Sequence, residues 1–220
     1  MVREVLFSDF DIVLMSRSPR RIELLEKLGL NFRALASDAE EIYPPDLAGS
    51  EIPVYLSRLK ANSFDINNDT SNSIASVDGA ADVNEKRLCG KRRDTPVIIA
   101  ADTIVWAANR ALGKPHDEAQ ATDMLKLLSG STHKVITGVT LKHADRIRSF
   151  SEETEVEFYG LSDEEIRYYV SHYHPFDKAG AYGIQEWIGM VGVKRISGSF
   201  YNVMGLPVAR LYHELRDFLF

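Results

Sequence analysis

From position 97 the chain reads Val97-Ile98-Ile99-Ala100-Ala101, then meets Asp102-Thr103 before Ile104-Val105-Trp106 resumes. An unbroken apolar run of this kind suits a strand covered on both faces, so it demands layers of chain above and below a sheet. A carboxylate in the middle of such a run must be paired, metal-bound or set at a strand end facing a cleft, because an isolated charge in an apolar interior is too costly to keep. The plainer possibility for Asp102 is a structural carboxylate, hydrogen-bonded beside Thr103.

Around this strand the apolar period alternates between that of strands and that of helices. Ile12-Val13-Leu14-Met15 stops at Ser16-Arg17-Ser18-Pro19. There Ser18 is a candidate N-cap and Pro19 fits the first helical position, where a missing N–H costs nothing. Ile22, Leu24, Leu25 and Leu28 follow on one helical face and Gly29 supplies the stop. Further helices are predicted over 53–64, 117–129, 162–170 and 206–218, and further strands over 135–141 and 155–159. Ser162 with Glu165 forms a capping box at the third of those helices. The glycine-rich stretch 175–205 reads as loops and hairpins rather than helix. Interleaved strands and helices with several short connections make the class α/β with a mixed sheet.

The chain of 220 residues reads as a single domain with one break in composition. Residues 65–95 hold no aromatic, are rich in Asn, Ser, Asp and Ala, and end in Lys86, Arg87, Lys91, Arg92 and Arg93. Too little apolar surface is available there to offset ordering entropy, so the stretch is expected to be a mobile surface insertion. Twenty-six Lys and Arg against 32 Asp and Glu give a net charge of -6. That excludes a protein that coats a nucleic-acid polymer by bulk positive charge and leaves small anions open. A lone cysteine, Cys89, makes neither an intramolecular disulfide nor a thiolate zinc site, and it suits a reducing, cytoplasmic setting. No apolar run approaches a membrane span.

Candidate chemistry starts at the first helix. Its N-terminus brings Ser16, Ser18, Arg20 and Arg21 to one turn with unpaired N–H groups, a phosphate-binding arrangement without a P-loop; the bland possibility is a pair of surface charges. No Walker-type or dinucleotide-binding glycine motif occurs. Asp38, Glu40 and Glu41 form an acidic cluster that is either a solvated loop or a source of a second oxygen ligand, beside Asp102, for a hard divalent cation. His172-x-His174 has no partner pattern for zinc, and no nucleophile elbow is present.

Several segments, taken in order, resemble the Maf family of nucleoside triphosphate pyrophosphatases. They are Leu14-Met15-Ser16-Arg17-Ser18-Pro19-Arg20-Arg21, Leu59-Lys60-Ala61, Ala101-Asp102-Thr103, Leu112-Gly113-Lys114-Pro115, Leu128-Ser129-Gly130 with His133, Asp177 through Gln185, and Gly198 through Pro207. The resemblance implies an elongated α/β fold, a mixed sheet spanning two lobes with the active site in the cleft between them, often as a homodimer. It implies hydrolysis of a nucleoside triphosphate to the monophosphate and pyrophosphate, assisted by Mg2+ or Mn2+. Carried over residue by residue, the proton acceptor falls on Asp102, the acidic metal partner on Glu41 with Asp102, the phosphate-contacting bases on Arg21, Lys60 and Lys114, and the phosphate-turn serine on Ser16. Arg20, Thr103 and Gln185 fall on the specificity positions of the branch that prefers dTTP and UTP. A sister branch acting on 7-methyl-GTP places an aromatic residue at the first of these. Beside these two branches stand a pyrophosphatase for noncanonical purine nucleotides and, from a different class, a non-catalytic nucleotide-binding regulator of cell division. The chain departs from the family pattern at Met15, at the looser acidic motif Ala39-Glu40-Glu41, and at Glu186, which stands where glycine is common and adds a carboxylate near the base pocket.

Overall fold

The computed structural model describes residues 7–65 and 95–220. Cys89, the basic cluster 86–93 and all of the expected insertion except its two end residues lie outside the described residues.

The first strand, β1 (Ile12–Met15), is buried along its whole length and leads into α1 (Pro19–Leu28). Ser18 takes the extended N-cap conformation with Pro19 next, and Gly29 closes the helix at φ 81°, donating its N–H to the Glu26 and Leu25 carbonyls. After β2 (Phe32–Leu35) comes α2 (Glu51–Asn62), then the long β3 (Val97–Ala107) and the short β4 (Arg110–Leu112). The chain continues through α3 (Glu118–Leu128), β5 (Thr132–His143), β6 (Arg146–Phe158) and α4 (Asp163–Tyr173). Two 3-10 turns, Pro175–Asp177 and Ala179–Ala181, precede α5 (Trp187–Gly192), β7 (Val193–Ser197), α6 (Phe200–Val203) and α7 (Val208–Leu219).

Among the described residues seven strands form one mixed sheet in the order β2-β1-β3-β5-β6-β7, with β4 pairing β3 as well. Strand β1 is parallel to both β2 and β3, while β3, β5, β6 and β7 are successively antiparallel. The run 97–101 is covered on both sides, as its composition demands. Val97, Ile99 and Ala101 join Leu14, Leu25, Leu211 and Leu215 in one core, whereas Ile98 and Ala100 pack with Val13, Met15 and Ala61 on the opposite face. Farther along β3, Val105 and Ala107 return to the first face but enter a second core built by α3, α4 and α5. Thr103 lies between the two cores and pairs with Thr137 of β5, which sits in the same gap.

Three expectations are corrected. The stretch 175–205 is not free of helix: it holds both 3-10 turns, α5 and α6 around the single strand β7. Close packing accounts for some of its glycines; a Cβ at Gly189 would stand 1.8 Å from the Ile184 carbonyl oxygen. The strand expected over 155–159 begins at Arg146 and is paired with β5 from Arg146 to Glu157; Glu152 and Glu153 side by side break the alternation that marks its last residues. The last helix starts at Val208 with Pro207 as its N-cap residue, so the proline precedes the first turn. Strands β2 and β4, four and three residues long, gave no apolar run of their own to read.

Candidate active site

The pairing of β3 leaves an opening in the sheet. On one edge β1 ends where Met15 pairs with Ala100, and pairing with β4 begins only at Val105. From Ala101 to Ile104 the strand has no partner strand on that side among the described residues, and a cleft of about 490 Å³ opens there. In sheets with parallel strands such a gap at a strand's carboxyl end is where ligands settle. Its walls include Ser16, Arg20, Arg21, Glu41, Lys60, Asp102, Thr103, Lys114 and Gln185. All nine site residues that the resemblance carried over are therefore brought together.

Asp102 points to the α2 side of β3. Gly138 of β5 lets α2 approach closely, and Ser57 anchors the helix to Thr140 by a 2.7 Å hydroxyl contact. One turn on, Lys60 meets Asp102 in a buried ion pair, with the two residues 8% and 7% exposed. The same ammonium donates to Glu41 Oε1 at 2.7 Å, and Lys114 reaches Glu41 Oε2 at 3.5 Å. Burial pushes the Glu41 carboxyl up, but the two lysines outweigh it and hold it below the usual carboxylate range. Glu40, its neighbour, is exposed and is not part of the cleft wall. Asp38 forms a long exposed pair with Arg17.

The opposite wall is organised by the first helix. Ser16 Oγ accepts the Ser18 N–H at 3.1 Å, fixing the turn that presents the helix N-terminus. Arg21 turns inward: Nε donates to the Gly205 carbonyl at 2.8 Å, Nη1 to the open-edge carbonyl of Ala101 at 2.9 Å, and Nη2 to Thr103 Oγ1 at 3.0 Å. Desolvation lowers its pKa from the ordinary arginine value while the charge of Asp102 opposes that shift. Three of its five N–H donors are thus engaged by the protein, so Arg21 holds the cleft wall together as well as lending it charge. Gly205 allows the arrangement with φ 113°, which side-chain-bearing residues rarely adopt. Arg20 instead reaches across to Asp177, Nη1 to Oδ2 at 2.6 Å.

Composition and spacing gave no role to Asp177, Lys178, Tyr169 or Gly205. Asp177 and Lys178 both line the cleft, and Lys178 Nζ lies 2.7 Å from Asp177 Oδ1 and 3.0 Å from Glu186 Oε1. A readable signal existed, a charged pair directly before the small-residue run Ala179-Gly180-Ala181. Glu186 is not a loose carboxylate, since Lys178 and Tyr169 hold its two oxygens.

The donor chemistry suits a small hard cation. Glu41 and Asp102 direct carboxylate oxygens at one point, now the Lys60 ammonium. No larger group of His, Cys, Asp and Glu occurs among the described residues. A pair of carboxylates completed by phosphate oxygens and water is what Mg2+ takes, and Mn2+ accepts the same donors.

Residues 11–218 match the family described as Maf-like protein. The chain is 48% identical to the dTTP/UTP pyrophosphatase of Bacteroides thetaiotaomicron, over 94% of this chain and 95% of that one. It is likewise 48% identical to the dTTP/UTP pyrophosphatase of Cytophaga hutchinsonii, over 93% and 83% of the two chains. With the protein of the same name from Flavobacterium johnsoniae it shares 41% identity over 98% of each.

Proposed function

The chain belongs to the Maf-like family, and from that premise we propose that it is a nucleoside triphosphate pyrophosphatase that converts dTTP and UTP to the monophosphate and pyrophosphate. The observation that carries this reading is the open edge of β3. There Asp102 stands with Lys60, Glu41 and Lys114 on one wall, opposite a helix N-terminus bearing Arg20 and Arg21.

A triphosphate brings several negative charges, and attack at its α-phosphorus requires their neutralisation and an aligned water. Lys60, Lys114 and Arg21 supply positive charge along the phosphate chain, and the turn at Ser16 offers N–H donors. Asp102 accepts a proton from the attacking water, while Lys60 passes from this carboxylate to the phosphates. The water oxygen bonds to the α-phosphorus, the bond to the bridging oxygen breaks, and pyrophosphate leaves with that electron pair beside Lys114 and Lys60. Glu41 and Asp102 would hold Mg2+ or Mn2+, which when bound supplies Lewis-acid neutralisation of the phosphate oxygens.

Base choice rests with Arg20, Thr103 and Gln185. The Gln185 amide both donates and accepts, matching the carbonyl and N–H groups on the edge of thymine or uracil, and Arg20 adds a donor for a base carbonyl. The cleft also has the dimensions of an ordinary small-molecule site.

Pyrophosphate release from a panel of nucleoside triphosphates with Mg2+ or Mn2+, by wild type and Asp102→Asn, tests the proposal. Expected are turnover of dTTP and UTP and a loss of about 100-fold or more in the variant. Turnover of no triphosphate, or full activity in Asp102→Asn, overturns the mechanism. Preference for 7-methyl-GTP or for a noncanonical purine overturns the base assignment alone.

A further inference from the structure

We propose that Lys178 is a positioning residue for base recognition, joining Arg20 and Gln185 into one fixed geometry through Asp177 and Glu186. The inference rests on the pyrimidine reading above and names what maintains its specificity.

Lys178 sits between the two 3-10 turns and is 7% exposed. Its ammonium lies between two carboxylates, Asp177 Oδ1 at 2.7 Å and Glu186 Oε1 at 3.0 Å. Each carboxylate has a second partner on its far side. Asp177 Oδ2 accepts from Arg20 Nη1 at 2.6 Å, and the Asp177 carbonyl lies 3.5 Å from Nη2. Glu186 Oε2 accepts the Tyr169 hydroxyl, which itself accepts the Gly183 N–H at 3.0 Å. A continuous chain therefore runs from Arg20 on α1 to Tyr169 in the second core.

Two features distinguish this chain from a phosphate clamp. Its two cations and two carboxylates cancel, so it brings no net attraction for a polyanion. It is also built tightly: a Cβ at Gly183 would stand 2.9 to 3.0 Å from Glu186 Cδ, Glu186 Oε2 and Lys178 Cε. Gln185 lies exposed on the cleft between Gly183 and Glu186. The bonds of Glu186 thus hold the backbone from which Gln185 projects into the cleft, while Asp177 holds the Arg20 guanidinium. Asp177 alone would not suffice, because its side chain is 55% exposed and only Lys178 ties it to the buried end of the network. Hydrogen-bond readers discriminate strongly only when held in place, since a mispositioned donor pairs with any base edge.

Steady-state kinetics of Lys178→Met and Glu186→Gln with dTTP and dCTP, beside the wild type, test this. Lys178→Met keeps the apolar stem and removes the charge; Glu186→Gln keeps the shape. For dTTP, KM should rise about tenfold with kcat changed by less than about threefold, and the dTTP-to-dCTP ratio of kcat/KM should fall about tenfold. Lys178→Arg should recover part of the ratio. A folded variant of either site with the wild-type ratio overturns the proposal, as does a drop in kcat with the ratio intact; if Lys178→Met does not fold, Glu186→Gln decides. Calorimetric binding of dTMP and dCMP separates this inference from the enzymatic reading. Wild type that turns over no pyrimidine triphosphate but prefers dTMP, with that preference lost in the variants, overturns the activity and keeps the positioning role. A preference unchanged in the variants, or absent from wild type, overturns the positioning role.

Discussion

At the scale of single residues, His133 gives the chain a pH dependence on the acid side of neutrality. Its ring is 2% exposed, packs edge-on against Phe158 and Tyr182, and shares a 2.8 Å contact between Nε2 and the Tyr182 hydroxyl. Burial lowers its pKa to about 4, against an ordinary value of 6.5. Between those values the unfolded chain binds the proton and the folded one does not, so stability falls as pH drops from 6.5 toward 4. The loss amounts to roughly 3 kcal/mol at most. Urea midpoints across that window should show this slope in wild type and a much flatter one in His133→Leu; equal slopes would assign the effect to other groups. Glu41 and Asp177 have depressed carboxyl pKa values, so their contributions are present above the ordinary carboxylate range and fade only at lower pH. Asp102 was legible at this scale because a charge inside an apolar strand has few physical excuses. Lys178 was legible only as half of a charged pair before a small-residue run; its bond to Glu186, eight positions on, was not, since nothing in that spacing distinguishes it from a surface charge.

Among elements, the contact of α2 with β5 decides where Lys60 stands. Gly138 is its fulcrum: a Cβ there would fall 2.2 Å from the Pro53 carbonyl carbon, 2.3 Å from its oxygen and 2.3 Å from the Val54 nitrogen. All three are backbone atoms, so no side-chain rotation relieves the clash and the helix must move. Gly138→Ala is expected to cost about 3 kcal/mol in urea unfolding and to displace Lys60 from Asp102, lowering pyrophosphate release. Gly160→Ala, where nothing lies within 4 Å, is the control and should change stability by less than about 0.5 kcal/mol. A Gly138→Ala protein as stable and active as the control would remove this contact from the account of the site. Helices with caps and apolar stripes, such as α1 and α4, could be read from the sequence because the signals are local. Helix α5 escaped notice because its six residues carry two glycines, and their fit against Ile184 and Leu161 is a tertiary fact.

For the molecule as a whole, the cleft separates two cores that share the strands β3 and β5, and each of its carboxylates has a cationic partner before any ligand arrives, with cations in excess. Lys60 faces Asp102 and Glu41, Lys114 faces Glu41, and Arg20 faces Asp177. Net acidity of the chain said nothing of this internal pairing, which only the fold creates. If Glu41 and Asp102 hold a divalent ion while Lys60 and Lys114 hold phosphate, binding is an exchange of partners. The ion alone would leave Lys60 buried without a counter-charge. The nucleotide alone would bring phosphate against two uncompensated carboxylates. Both arrivals together satisfy every group, so a nonhydrolysable thymidine triphosphate analogue and Mg2+ should stabilise the protein cooperatively. At about a hundred times the dissociation constant the gain is about 2.7 kcal/mol. For a chain of this size that corresponds to a rise of roughly 5–10 °C in Tm. Thermal scans with each ligand alone should give shifts whose sum is clearly smaller than the joint one, and raising the salt concentration should shrink the joint shift because the exchanged contacts are ionic. An equal shift from the analogue in the presence of a chelator would show that phosphate needs no ion beside Glu41 and Asp102, and would leave those carboxylates as partners of lysine alone.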